Sequence, residues 1–148
     1  MNRGFTLIEL VVIIVIIGVI SVFVAARISD NTARTRAFHD ELLSQVQFAR
    51  KVAVAQRRPV FVRIDAVESL LCYNAAGACS GIASPGGQVP FRVAVPAGVA
   101  VDVATFQFDA LGRPRNAANV LLPAQLVVNV TGDGTYPVTV EHETGYAR

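Results

Sequence analysis

The chain has 148 residues, of which 53% are hydrophobic and 16% are charged, and its formal net charge is +2. This composition excludes intrinsic disorder, and the small net charge excludes nucleic-acid binding driven by bulk positive charge. The hydrophobic excess is concentrated in residues 10–26, where only Gly18 and Ser21 are not apolar. One such segment excludes a multi-span membrane protein and leaves room for one globular domain after it.

The apolar segment has two interpretations. Residues 5–26 in helical form would extend roughly 33 Å, enough to cross a ~30 Å hydrocarbon core. The alternative is a cleaved secretory signal, with Arg3 as its basic region and the cut near Ala25 and Ala26. Its length and the acidic Glu9 just before its most apolar part favour a membrane segment. Because a carboxylate in a membrane is costly, Glu9 is a candidate functional residue.

An amphipathic pattern follows over residues 28–56. One helical stripe contains Phe38, Leu42, Val46, Ala49 and Ala53. Pro59 is expected to end this helix, since the residue before a proline disfavours helical geometry. We therefore predict one nearly continuous helix, with its first half in lipid and its second half packed on a sheet.

After Pro59 the hydrophobic period becomes two, which is typical of half-buried strands. The predicted strands cover residues 60–64, 69–73, 91–95, 99–103, 105–108, 126–130 and 136–140. Glycine- and proline-rich turns separate several of them, including the turn at residues 111–114. The predicted fold class is α+β: a long N-terminal helix packed on antiparallel sheet.

The beginning of the chain resembles a known family. Gly4, Phe5 and Glu9, followed at once by the apolar run, resemble the prepilin leader of type IV pilins and type II secretion pseudopilins. The resemblance implies that prepilin peptidase cuts between Gly4 and Phe5 and that the new Phe5 amine is methylated. It also implies that Glu9 is the carboxylate used in subunit assembly.

The same resemblance implies a domain organisation and a location. Residues 1–4 are the leader, residues 5–27 the transmembrane and filament-core helix, and residues 28–148 a periplasmic pilin-like domain. Within that domain, residues 28–56 form the amphipathic helix and residues 60–148 are β-rich. The chain would cross the bacterial inner membrane once, with its N-terminus cytoplasmic, and then join a pilus or pseudopilus. Its partners would be prepilin peptidase and other pilins, with no cofactor.

The domain also resembles minor pilins. Residues 37–64 resemble the start of minor pilins of the GspH/FimT type, and residues 106–114 resemble their later strand and turn. The ending at residues 140–146 is most similar to minor pilins of MSHA-type pili. The resemblance therefore implies a minor pilin that inserts into or primes a type IV pilus-like filament. A type II secretion pseudopilin and a DNA-binding pilin for DNA uptake are the alternatives.

Cys72 and Cys79 are the only cysteines. If the domain is periplasmic, that compartment permits a disulfide, and their spacing suits one across a hairpin or loop. Two free thiols remain the main alternative. A metal site needs more ligands than two thiols, and no histidine lies nearby in sequence.

Gly112, Arg113, Pro114 and Arg115 resemble a Gly-Arg-x-Arg element of DNA-binding minor pilins of the FimT type. Two neighbouring guanidinium groups could contact adjacent phosphates. The alternative is a solvated turn in which Gly112 and Pro114 serve backbone geometry. In those pilins the element lies close to the C-terminus, whereas here 33 residues follow it, and this difference favours the turn.

Catalytic and metal chemistry have little support in the sequence. The tripeptides 39–41 and 141–143 each combine His with acidic residues. Neighbouring positions on a helix point in different directions, so the first is interpreted as a solvated face, and the second alternates across a possible strand. The sequence has no P-loop, nucleophile elbow or histidine–zinc motif. We therefore expect a structural protein rather than an enzyme, with no metal.

Overall fold

The computed structural model describes residues 7–25 and 30–148, with side chains for residues 7–19 and 31–148. Two helices, α1 (Leu7–Ala25) and α2 (Asp30–Gln56), precede all of the described strands. The strands are β1 (Val60–Ile64), β2 (Glu68–Cys72), β3 (Arg92–Ala94), β4 (Ala100–Val101), β5 (Ala104–Phe108), β6 (Pro114–Asn116), β7 (Leu126–Thr131) and β8 (Thr135–Val140). The chain divides into two compact units, Met1–Asp30 and Asn31–Arg148.

The first unit contains α1. Every side chain described in it, over residues 7–19, is exposed. Within the described ranges, no helix combines the length and the hydropathy that a membrane span requires. Gly4, Phe5 and positions 28 and 29, with which the predicted amphipathic helix begins, lie outside the described residues. The predicted continuity of the helix lies outside them too.

The second unit has its core between α2 and the strands. The five residues of the predicted stripe are each no more than 1% exposed, so this stripe is the buried face of α2. They pack in one cluster with the inward side chains of β1, β5, β7 and β8. The structure confirms the predicted α+β class, in which a long helix packs on antiparallel sheet.

The strands form two sheets. One has the order β3-β2-β1-β5-β6 and the other the order β4-β7-β8. Every strand pair in them is antiparallel, and Val62 faces Leu71 on one side and Phe106 on the other. Buried residues alternate along β1, as the period of two predicts.

Several strand boundaries differ from those predicted. The turn after β5 begins at Asp109, so Pro114 is the first residue of the edge strand β6, a position where its missing N–H is tolerated. β4 ends at Val101, and the Asp102 carboxylate beyond it accepts one hydrogen bond from the Asn129 backbone N–H and one from the Asn129 side-chain amide. The end of α2 at Gln56 is the predicted one, and Arg57 follows it with a left-handed φ of 51°.

Polar contacts fix α2 on the sheets at two levels. Gln45 is fully buried, and its amide donates to the Ser69 and Phe91 carbonyls at 3.2 and 3.1 Å while accepting from the Ser69 hydroxyl at 2.6 Å. Near the start of α2, the Thr32 hydroxyl donates to the Asp133 carboxylate at 2.8 Å. This second contact joins α2 to the turn between β7 and β8.

Candidate functional sites

Glu9 lies in the first turn of α1, where the helix dipole stabilises a negative charge. Its neighbours are apolar and exposed; Leu7, for example, is 81% exposed. Apolar surface on this scale is characteristic of a segment that binds a membrane or another protein. Of the predicted processing site, Gly4 and Phe5 lie outside the described residues.

Cys72 and Cys79 are joined by a disulfide with their Cα atoms 5.3 Å apart. The loop that they close is fixed internally by Asn74, whose amide donates to the Ala76 and Ala78 carbonyls at 2.6 and 2.7 Å. The Arg63 guanidinium donates to the Gly77 carbonyl at 3.0 Å, which attaches the loop to β1. The two thiols are therefore used in a structural link at the end of β2.

Arg113 and Arg115 both contact Asp109. Each donates its Nε–H to Asp109 Oδ2, at 3.1 Å from Arg113 and 3.0 Å from Arg115. The backbone N–H groups of Leu111 and Arg113 donate to Asp109 Oδ1, both at 2.9 Å. One carboxylate thus closes the turn and binds both arginines that the sequence offers for phosphate.

The electrostatics of this turn favour an ionised Asp109. Burial by itself raises the pKa of Asp109, but the hydrogen bonds from Arg113, Arg115 and the backbone outweigh it and hold the pKa below its ordinary value. A further guanidinium N–H of Arg115 donates to the Asn119 carbonyl at 2.9 Å. Part of the donor set of each arginine is therefore used within the turn, and the Asp109 carboxylate offsets part of their positive charge.

The histidines occupy separate places. His39 Nδ1 lies 2.9 Å from the Asp40 carboxylate, and His39 Nε2 lies 3.4 Å from the Pro137 carbonyl oxygen. His142 Nε2 is 3.8 Å from the Glu143 carboxylate, near the end of the chain. Among the residues that the structure describes, no three His, Cys, Asp or Glu side chains come together as metal ligands would.

A groove on the C-terminal half of α2 was not anticipated by motifs. One part has a volume of about 220 Å³ and is lined by Gln47, Arg50, Lys51, Gly145, Tyr146 and Ala147. A second part, of about 310 Å³, is lined by Arg50, Lys51, Val54 and Ala55. Because Arg50 and Lys51 line both parts, we treat them as one surface, the α2 groove.

One sequence signal could have indicated this groove. Residues 42–64 contain five cationic side chains and no Asp or Glu. The other wall of the groove is formed by residues 145–147. No local sequence pattern predicts it, because these residues lie beside α2 only in the folded chain. Thr139 and Arg148 exchange two backbone hydrogen bonds, at 2.8 and 3.0 Å, which turns the end of the chain back along β8.

Residues 1–25 match the family model described as the prokaryotic N-terminal methylation motif. The proteins that carry this motif on a pilin fold are structural components rather than enzymes, and in type IV pilins the motif marks an N-terminal membrane anchor. No curated protein matches the chain significantly in sequence.

The fold is that of a type IV minor pilin. The chain is similar to FimU of Pseudomonas aeruginosa strain PAO1 in space group P65, with a TM-score of 0.58 and 16% identity over 76% of this chain and 90% of FimU. In space group P21 the TM-score is 0.57, with 17% identity over 79% of this chain and 88% of FimU.

Proposed function

We propose that this chain is a minor pilin that prepilin peptidase processes and that assembles into, or primes, a type IV pilus-like filament. One observation carries the proposal: an N-terminal methylation motif precedes a domain with the fold of a minor pilin. The two features come from separate parts of the chain, so each supports the other. A motif match by chance would not be expected to precede this fold.

Processing comes first in the proposed sequence of events. The peptidase cuts between Gly4 and Phe5, and the new Phe5 amine is methylated. α1 then stays in the inner membrane, with the N-terminus cytoplasmic and the residues after it periplasmic. The exposed apolar surface of α1 and a disulfide suited to an oxidising compartment support this placement.

Assembly transfers α1 from lipid into a bundle of similar helices. In the proposed contact, the Glu9 carboxylate pairs with the positively charged Phe5 amine of the neighbouring subunit. At 4 Å and an effective dielectric constant of ~20 such a pair attracts by ~4 kcal/mol, before desolvation is subtracted. Apolar helices slide along one another easily, so this pair would also set their axial register.

The Glu9→Ala substitution tests the assembly role. We expect normal cleavage and membrane insertion but severalfold less of the subunit in sheared filaments, because the register-setting pair is lost. Intact mass of the membrane-extracted protein, starting at methylated Phe5, reports processing in the same strain. Glu41→Ala, which removes an exposed acid from α2, is the matched control.

Two results would contradict the proposal in different ways. A mature protein that starts near Arg27 would identify an ordinary secretory signal. If the Glu9→Ala chain is processed correctly and enters filaments as efficiently as the unaltered chain, Glu9 has no role in assembly.

The choice of filament rests on weaker support. The likeness to a minor pilin of a type IV pilus favours a pilus over a type II secretion pseudopilus. The resemblances to the GspH/FimT type and to MSHA-type pilins remain part of the proposal. DNA uptake through Arg113 and Arg115 is disfavoured, because both guanidinium groups already bind Asp109.

A further inference from the structure

The α2 groove is a cationic surface without acidic lining. Among the described residues that line it, Arg50 and Lys51 are charged and none is acidic. Lys51 is exposed and makes no hydrogen bond or ion pair with any described residue.

Exposed apolar side chains lie in the same groove and on the turn that packs beside it. Val54 is 45% exposed, Leu111 is 68% exposed and Tyr146 is 56% exposed. The turn that carries Leu111 packs on α2, since a Cβ added at Gly112 would lie 3.0 Å from Val54 Cγ2. Val54 and Tyr146 therefore line the groove, and the turn that carries Leu111 packs beside Val54.

The walls of the groove are fixed before any partner arrives. Arg50 Nε donates to the Thr144 carbonyl at 2.9 Å, and the Gln47 amide donates to the Ala147 carbonyl at 3.1 Å. Gly145 is buried, and a Cβ there would collide with the Gly112 carbonyl oxygen. A preformed groove spares a partner the entropy cost of ordering it.

We propose that the α2 groove docks an acidic segment with apolar side chains from a neighbouring subunit of the filament. The proposal rests on the proposed function. Carboxylates of the segment would face Lys51 and the terminal amino groups of Arg50, and its apolar side chains would cover Val54, Leu111 and Tyr146. Such mixed chemistry matches the anatomy of protein interfaces, in which Tyr and Arg are enriched and apolar contacts lie at the centre.

Nucleic acid fits this surface less well. A phosphate backbone would use the cations but leave exposed Val54 and Leu111 without apolar contacts. Arg113 and Arg115 form ion pairs with Asp109, so they add little positive potential for binding a phosphate backbone. An acidic protein segment uses both the cations and the apolar border.

Site-specific photo-crosslinking in cells that make the filament tests the inference. The photoreactive residue p-benzoylphenylalanine is placed in the full chain at Tyr146 or at Leu111. Val67, which is 72% exposed in the turn between β1 and β2, is the matched position outside the groove. Ile13 in α1 reports whether the subunit enters a helix bundle at all.

We expect Tyr146 and Leu111 to crosslink to an acid-containing segment of another subunit with the N-terminal methylation motif, as identified by mass spectrometry, and Val67 not to do so. If Ile13 crosslinks to pilins and the groove positions do not, the groove inference is wrong and the proposed function stands. If Ile13 crosslinks to no pilin, the proposed function fails. Crosslinks from the groove to DNA or to a protein outside the filament would also overturn the inference.

A charge substitution gives a second readout. Lys51→Ala should lower the crosslink yield from Tyr146 by about threefold, the usual size for a partly screened ion pair, and Lys51→Arg should keep it. Because Lys51 is exposed and unpaired among the described residues, neither change should alter folding. Equal yields from all three chains would contradict a carboxylate facing Lys51.

Discussion

At Asp109 one carboxylate accepts two backbone hydrogen bonds and binds two arginines, with its side chain 15% exposed. The Gly112 amide completes the turn by donating to the Asp109 carbonyl at 2.8 Å. Removing the carboxylate charge would leave two guanidinium groups without a counter-ion. The sequence resemblance draws attention to the arginines, but the turn is organised by the acid before them.

Asp109→Asn should lower the free energy of unfolding at pH 7 by about 1–3 kcal/mol, because charge-assisted hydrogen bonds are weakened. The pKa of Asp109 is held below its ordinary value, so its contribution is complete above the unfolded-state pKa of about 3.9 and is lost as pH falls through the folded-state pKa. The difference between the two proteins should therefore shrink in acid. Denaturant titrations at several pH values measure it. A constant difference down to pH 2 would contradict the assignment.

Arg57 ends α2 in the left-handed region, with a φ of 51°. Its N–H bonds to the Val54 carbonyl and the Arg58 N–H to the Ala53 carbonyl, the Schellman pattern in which glycine is usual. Arg57→Gly should raise the free energy of unfolding by about 0.5–1 kcal/mol, because a residue without Cβ relieves the strain. Arg57→Ala controls for the lost charge. Thermal unfolding of the unaltered chain and the two variants measures the difference. Equal stabilisation by Arg57→Ala would mean that loss of the Arg57 charge, and not relief of backbone strain, is responsible.

At the scale of elements, the closed loop between Cys72 and Cys79 gives the next prediction. Replacing both cysteines by Ser should lower stability by roughly 2.5 kcal/mol in the chain-entropy model, since a short loop is released in the unfolded state. Reducing the unaltered protein with dithiothreitol should produce a similar loss, and the double variant should not respond to it. Unchanged melting on reduction would show that the link carries no stability.

The helix stripe and β1 could be predicted because each is a local period: 3.6 residues on α2 and two residues on β1. β6 could not, because Pro114 becomes a strand residue only through its pairing with Phe108 across the turn. The return of residues 141–148 along β8 is likewise set by non-local pairing. Elements with a hydrophobic period can be predicted from the sequence, whereas contacts between distant segments cannot.

For the whole protein, we expect weak binding to DNA at physiological salt, no better than the non-specific ~10⁻⁴ M. Its net charge is +2, and Asp109 holds Arg113 and Arg115. Fluorescence titration with labelled duplex DNA measures the affinity. Asp109→Asn should tighten binding by releasing the arginines. Micromolar affinity that is lost on combining Arg113→Ala with Arg115→Ala would reverse this expectation.

The candidate sites were predicted to different degrees. Gly4, Phe5 and Glu9 are predicted from a leader motif that is contiguous in sequence, and their roles stay predictions. Cys72 and Cys79 lie seven positions apart, and the loop that joins them needs no distant contact. The α2 groove combines α2, the turn after β5 and the last residues of the chain, so only the fold brings it together.

Buried Gln45 has a mechanical consequence. An apolar stripe alone would let α2 shift along the sheet by one helical turn, about 5.4 Å, and find similar contacts again. Such a shift would take the Gln45 amide away from the Ser69 and Phe91 carbonyls and leave buried polar groups unsatisfied. Under tension along the helix axis, the Gln45 hydrogen bonds would have to break before α2 could slide along the sheet. The domain would resist pulling in discrete steps rather than by gradual slippage.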